Sequence, residues 1–105
     1  MTKPLILVDP WPRRRAMIFT EAQWRRLEGL ARLAACEGDA AMPADEIDAL
    51  LPDATIIIGQ TDLPAARLAR AASLRAVINV EGNFFPNIDY ESCFARGVAV
   101  LSIAP

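Results

Sequence analysis

Histidine is absent from this 105-residue sequence. This absence excludes every histidine-based general acid, general base or catalytic triad within the chain, together with most zinc sites. Cysteine is scarce as well, because Cys36 and Cys93 are too few for a disulfide framework or a metal cluster. A cytoplasmic location is the simplest expectation, since the cytoplasm keeps thiols reduced.

Glycine and long apolar runs are also in short supply. No two of the five glycines lie close enough to form a GxGxxG turn or a Walker loop, so nothing here predicts a Gly-rich phosphate cradle. The longest apolar runs, such as residues 5–8 and 55–58, are far below the roughly 20 residues that cross a bilayer. These runs predict no membrane partner, and the N-terminus shows no pattern of a signal peptide.

The composition that remains is typical of a globular domain, with 53% hydrophobic and 23% charged residues. Eleven Lys and Arg residues against thirteen Asp and Glu residues give a formal net charge of -2. This acidic balance argues against nucleic acid as a partner. A chain of this length has room for one hydrophobic core and not for two, so we expect residues 1–105 to form a single domain.

Short apolar runs alternate with amphipathic stretches along the chain. The apolar runs predict strands at residues 4–8, 33–36, 54–58, 74–80 and 98–101. The amphipathic stretches predict helices over residues 20–29, 45–51, 64–72 and 89–96, with a loop over 11–16. Such alternation predicts an α/β fold with right-handed crossovers. We expect a flavodoxin-like doubly wound parallel sheet of about five strands in the order 2-1-3-4-5.

The first long helix has clear signals at both ends. Thr20 and Gln23 have the spacing of a capping box, and Phe19 and Trp24 have the spacing of a hydrophobic staple. Gly29 is predicted to end this helix in the left-handed conformation.

The last predicted strand is followed by no covering helix, because the sequence stops at Pro105. A fold of this type normally covers its last strand. We therefore expect either that the segment is part of a longer chain or that a partner covers the exposed face.

Ligands of open parallel sheets bind at the carboxyl ends of the strands, so the loop over residues 80–87 is the most informative. Gly82 lets the backbone approach a ligand closely, and amide N–H groups in such a turn can hold a carboxylate. The alternative is a tight turn with Phe84 and Phe85 packed inward as core.

Other loop residues leave alternatives open. Gln60 and Thr61 either hydrogen-bond a small polar ligand or belong to the start of the next helix. The arginine run over residues 13–15 suggests a phosphate patch, but the net charge favours a solvated loop. Cys93 has the spacing of an inward-facing or half-buried structural thiol, and no histidine is present to activate it.

Residues 74–100 carry a signature in two parts. Asn87-Ile88-Asp89 follows a strand and a glycine loop, and Arg96-Gly97-Val98 follows the next helix. In this the chain resembles the NAD-dependent D-isomer-specific 2-hydroxyacid dehydrogenases, the phosphoglycerate dehydrogenase-like family. One departure is that the loop keeps a single glycine, Gly82, where the family usually has two. Phe84-Phe85-Pro86 also replaces the usual small residues.

The resemblance implies the N-terminal substrate-binding domain of an oxidoreductase that transfers a hydride between NAD and a D-2-hydroxy acid or 2-oxo acid. It implies that the backbone of Glu81, Gly82 and Asn83 holds the substrate carboxylate, with Gln60 and Thr61 nearby. NAD and the catalytic residues would lie in a downstream cofactor domain absent from this chain. The segment alone is therefore expected to be inactive, and a homodimer is one possible assembly of the whole protein.

A different class of function also fits the sequence. The chain could be a non-catalytic flavodoxin-like interaction or regulatory module that keeps the fold without the chemistry. Its partner would then bind the uncovered face of the fifth strand.

Overall fold

The computed structural model describes residues 3–36, 40–80 and 87–102. Within these residues five parallel strands form one sheet in the order β2-β1-β3-β4-β5. The strands are β1 (Leu5–Asp9), β2 (Arg32–Ala35), β3 (Ala54–Gly59), β4 (Ala76–Asn79) and β5 (Ala99–Ser102). The predicted flavodoxin-like fold and strand order are confirmed.

The helices flank this sheet on both faces. They are α1 (Arg15–Ile18), α2 (Glu21–Leu30), α3 (Ala44–Leu50), α4 (Ala65–Leu68) and α5 (Tyr90–Ala95), and a 3-10 turn (Leu51–Asp53) follows α3. None of the helices in the described part of the chain is long and apolar enough to cross a membrane.

Alternation along the strands divides the core into two layers. Leu7, Ile57 and Val77 face the layer that contains side chains of α3, α4 and α5. Ile6 and Ile58 face the opposite layer, which is closed by Trp24 of α2. Strands buried on both faces require continuous apolar runs, and this is why β1 and β3 are so evident in the sequence.

The second layer is covered over only part of its width. Val8, Ile58, Ile78 and Leu101 are register partners on successive strands, so they form one row across the sheet. Exposure rises along the row from 0% at Val8 through 7% at Ile58 to 53% at Leu101. In the described residues, which end at Ser102, no helix covers β5 on this face.

The start of α2 is as predicted, and its end is not. Thr20 and Gln23 form the capping box, with bonds of 2.9 and 3.1 Å, and the Phe19 and Trp24 ring centroids are 5.4 Å apart. The prediction that Gly29 ends the helix is wrong, because α2 continues to Leu30. The helix ends because the backbone of Ala31 is extended, so no glycine in the left-handed conformation is needed.

Two other expectations need correction. The predicted loop over residues 11–16 runs into a short helix, α1, and Arg15 stacks over Trp24 with its guanidinium carbon 4.5 Å from the ring centroid. This cation–π contact ties one member of the arginine run to the core. The helix predicted over residues 64–72 is shorter than expected, since α4 ends at Leu68.

We expect Thr20→Ala to lower the free energy of unfolding by about 1 kcal/mol, because it removes the side-chain acceptor of the N-cap. Thr20→Ser keeps the hydroxyl and is expected to retain most of this stability. Urea unfolding of the three proteins measures the effect. Equal midpoints for wild type and Thr20→Ala would show that the capping box contributes nothing.

Candidate functional site

The carboxyl ends of the strands form a polar edge. Asp9, Gly59, Asn79 and Ser102 are the last residues of β1, β3, β4 and β5. Asp9 pairs with Gly59 in the sheet register, and Asn79 pairs with Ser102. Ligands of parallel α/β sheets bind at this edge, so it is where the candidate site is expected.

Asp9 is a buried carboxylate that joins three segments of the chain, and it is 4% exposed. Its Oδ1 accepts a hydrogen bond from the Met42 N–H at 2.9 Å, and its Oδ2 accepts one from the Thr61 hydroxyl at 2.8 Å. Its backbone carbonyl also accepts from the Gln60 N–H at 3.2 Å. Sequence reasoning did not assign this role to Asp9, because its partners are 33 and 52 residues away.

Gly59, the last residue of β3, allows the backbone of β3 to lie close to the backbone of Asp9 in β1. Its φ of +144° lies in a region that side-chain-bearing residues rarely adopt. A Cβ at this position would lie 1.9 Å from the Asp9 carbonyl oxygen. The glycine at the end of the third strand is thus required by the backbone of the neighbouring strand.

Gln60 and Thr61 follow β3 directly and are both hydrogen-bonded within the chain. The Gln60 Oε1 accepts from the Val80 N–H at 2.9 Å, and the Thr61 carbonyl accepts from the Asn87 side-chain amide at 2.9 Å. Neither residue caps the next helix, which begins at Ala65. The alternative assignment as helix-start residues is therefore not what the structure shows. Their predicted contact with a substrate stays a prediction.

The predicted carboxylate cradle, Glu81, Gly82 and Asn83, lies outside the described residues, as do Phe84 and Phe85. Its flanks are described. Val80 is buried and Asn87 is half-buried, and both are bonded to the segment that follows β3.

Buried polar atoms without a partner lie at Asn87 and at Asn79, the residue before Val80. Among the described residues, the side-chain Nδ2 and Oδ1 of Asn79 and the side-chain Oδ1 of Asn87 are buried and have no hydrogen bond. A buried unsatisfied group costs about 1–3 kcal/mol, and such groups are rare in folded proteins. Polar groups that destabilise the fold in this way are concentrated at the edge where a ligand is expected.

A crevice of about 300 Å³ opens beside Asp9, where the strand order reverses between β1 and β3. Trp11, Gln60 and Arg67 are among its lining residues. The Arg67 guanidinium forms a salt bridge with Asp48, because its Nε lies 2.9 Å from the Asp48 Oδ1. The hydrogen bond from Arg67 lowers the pKa of the Asp48 carboxyl.

No metal centre is seen in the part of the chain that the structure describes, where no three Cys, Asp or Glu side chains are grouped to hold an ion. Cys93 is fully buried in the first core layer, as its spacing predicted. Burial raises the pKa of the Cys93 thiol, and the nearby Asp89 carboxylate raises it further. A buried thiol held in its neutral form acts as a small apolar side chain.

The raised pKa of Cys93 predicts a loss of stability in alkali. The thiol's stabilising contribution is complete below its unfolded pKa, near the ordinary value of 9.0, and is lost as the pH rises through the higher folded pKa. We therefore expect the free energy of unfolding to fall above about pH 9. In Cys93→Ala the slope above this pH should be smaller, whatever its stability at pH 7. Denaturant titrations from pH 7 to pH 10 measure both slopes, and identical slopes would contradict the assignment.

No protein-family model matches the sequence, and no curated protein matches it. Solved structures do match. A phosphoglycerate oxidoreductase from Rhizobium etli is 33% identical with a TM-score of 0.81, and the match covers 95% of this chain and 30% of that one. The structural neighbours of this chain are D-isomer-specific 2-hydroxyacid dehydrogenases. The predicted resemblance of the chain to this family is confirmed.

Two more distant dehydrogenases share the fold. The NAD⁺-bound 3-phosphoglycerate dehydrogenase of Entamoeba histolytica is 13% identical with a TM-score of 0.73, and the match covers 96% of this chain and 33% of that one. A Polaromonas protein assigned to the D-isomer-specific 2-hydroxyacid dehydrogenases is 16% identical with a TM-score of 0.68, over 95% of this chain and 30% of its own. This chain therefore spans about a third or less of these dehydrogenases.

Proposed function

We propose that this chain is the substrate-binding domain of an NAD-dependent D-2-hydroxyacid dehydrogenase, acting on a small 2-hydroxy or 2-oxo acid. The observation that supports this best is the 33% identity to a solved oxidoreductase over 95% of the chain. The two-part signature over residues 74–100 supports the same family independently of the fold.

The role of the chain in this proposal is to bind and orient the acid. The backbone N–H groups of Glu81, Gly82 and Asn83 hold the substrate carboxylate, and Gly82 leaves room for the ligand because it has no Cβ. Gln60 and Thr61 stand beside this loop. Amides that are fixed before the ligand arrives lose little entropy on binding, so they favour a well-defined orientation of the acid.

The chemistry of the redox step lies elsewhere in the whole protein. The described residues do not fit a dinucleotide, since Gly59 at the strand edge faces the Asp9 carbonyl and leaves no glycine-rich turn open to a pyrophosphate. The chain has no histidine to move a proton. We assign NAD and the proton-transferring residues to a downstream cofactor domain, in a cytoplasmic enzyme. Closure of the two domains would exclude water from the acid.

The experiment that tests this function is a titration of the ¹⁵N-labelled chain with glyoxylate, pyruvate and hydroxypyruvate. We expect the amide resonances of residues 81–83 to shift, with a Kd on the order of 1 mM for a cleft that lacks its second wall. Pyruvamide, which lacks the carboxylate, is the matched control and should shift none of them. The chain should also leave NADH unoxidised with all three acids. Unmoved resonances, or turnover by the chain alone, would contradict the proposal.

A second candidate function is that of a non-catalytic interaction module. The observation that favours it is the apolar face of β5, which no helix of the described residues covers and where Leu101 is 53% exposed beside its register partner Ile78. Light scattering over a range of concentrations tests self-association through this face. A monomer at every concentration, with no partner captured by the chain, would count against this candidate.

A further inference from the structure

The segment that follows β3 holds the two flanks of the candidate loop at once. We call residues 60–63 the brace. At the start of the loop, the Gln60 side chain accepts a hydrogen bond from the Val80 N–H at 2.9 Å. Because Val80 is the residue directly after β4, this bond fixes the position at which the chain leaves the sheet.

The brace makes three bonds at the far end of the loop. The Thr61 carbonyl accepts from the Asn87 side-chain amide at 2.9 Å, and the Leu63 N–H donates to the Asn87 carbonyl at 2.7 Å. The Leu63 carbonyl in turn accepts from the Asp89 N–H at 3.0 Å. These bonds make an isolated parallel bridge between Leu63 and Ile88, so this end of the loop is joined to the brace by backbone as well as by side chain.

Asp9 fixes the brace to the sheet. Its carboxylate and carbonyl accept from the Thr61 hydroxyl and the Gln60 N–H, at 2.8 and 3.2 Å. Thr61 is 4% exposed, like Asp9, so their hydrogen bond is shielded from water. A hydrogen bond to a charged acceptor in such a place is stronger than a neutral one. The brace is thus held by the last residue of a central strand.

We propose that the brace sets the separation of Val80 and Asn87, and that Asp9 is a positioning residue acting through Thr61. This inference rests on the proposed function, because the loop between these flanks is the one assigned to the carboxylate. Asp9 and Asn87 then control affinity for the acid without being among the residues assigned to touch it. A binding group works only when its supports hold it within about 0.5 Å of the productive geometry.

Asn87→Ala is the leading test, because it removes one donor to the brace at a half-buried position outside the assigned ligand set. We expect glyoxylate to bind about tenfold more weakly, as for the loss of one hydrogen bond of average strength. We also expect faster hydrogen exchange at the Val80 amide, which lies at the other end of the loop. Thr20→Ala, a destabilising change remote from the strand edge, is the control and should alter neither quantity.

Thr61→Val and Thr61→Ser test the role of Asp9. Thr61→Val deletes the hydroxyl and leaves the Asp9 carboxylate short of one donor, so it should weaken glyoxylate binding by a similar factor. Thr61→Ser restores the hydroxyl and should recover the affinity. If Thr61→Val does not fold, Thr61→Ala takes its place. Unchanged affinity and unchanged Val80 exchange in a folded variant without the hydroxyl would show that Asp9 does not act through Thr61.

The outcomes separate the brace from the function that it serves. If wild type binds glyoxylate and a folded Asn87→Ala binds it equally well, the brace proposal is wrong and the proposed function stands. If wild type binds none of the acids, the proposed function fails. The brace is then tested by the rate of hydrogen exchange at the Val80 amide. Faster exchange in Asn87→Ala supports the brace in that case, and unchanged exchange overturns it.

Discussion

Gly59→Ala is expected to lower the free energy of unfolding by about 4 kcal/mol. At φ +144° any side chain is strained, and the added Cβ would lie 1.9 Å from the carbonyl oxygen of Asp9. Asp9 and Gly59 are register partners at the carboxyl ends of the central strands β1 and β3, and the atom that the Cβ meets is backbone. Relief of the clash therefore requires the two central strands to separate.

Gly29→Ala is the matched control for this change. Gly29 lies inside α2, and a Cβ there meets no atom within 4 Å. Because alanine favours helix over glycine by about 1 kcal/mol, this variant should be slightly more stable than wild type. Urea unfolding measures both variants. A Gly59→Ala protein whose free energy of unfolding lies within about 1 kcal/mol of wild type would show that β1 and β3 can move apart at this position at little cost.

Gly82→Val is expected to weaken glyoxylate binding by about 100-fold. A β-branched side chain would occupy the space through which the acid approaches the backbone, and the loss of two charge-assisted hydrogen bonds costs roughly 3 kcal/mol. Stability should change little, because the proposed role of the loop is to bind a ligand and not to close the core.

The same titration and a thermal melt distinguish this account from the simpler one, in which residues 80–87 are only a tight turn. Binding lost with an unchanged melting temperature supports the carboxylate cradle. A fall in melting temperature that accounts for the lost binding would instead favour the turn with Phe84 and Phe85 packed inward. Gly29→Ala again serves as the control, since it alters a glycine remote from the strand edge.

Much of the fold could be predicted because its signals are local. The β-branched run of β3 is buried on both faces, so the sequence shows it without reference to any other segment. The capping box at Thr20 and Gln23 needs only a spacing of three residues. Parallel order then follows from the alternation of elements, since few connections between parallel strands are sterically possible.

The site was less predictable because its contacts are long-range. The bond between Thr61 and Asp9 spans 52 residues, and nothing near either residue in the sequence indicates it. The failed prediction at Gly29 has a related cause. Glycine at that position has the pattern of a helix end, but the turn into β2 is made by extended backbone at Ala31, so the helix needs no left-handed residue.

The most direct test of the central claim is an experimental structure of this chain with glyoxylate bound. The account predicts that a carboxylate oxygen lies within hydrogen-bonding distance of the backbone N–H groups of Gly82 and Asn83, between the flanks held by the brace. Glyoxylate bound elsewhere, with those N–H groups bonded to other atoms of the chain, would contradict it.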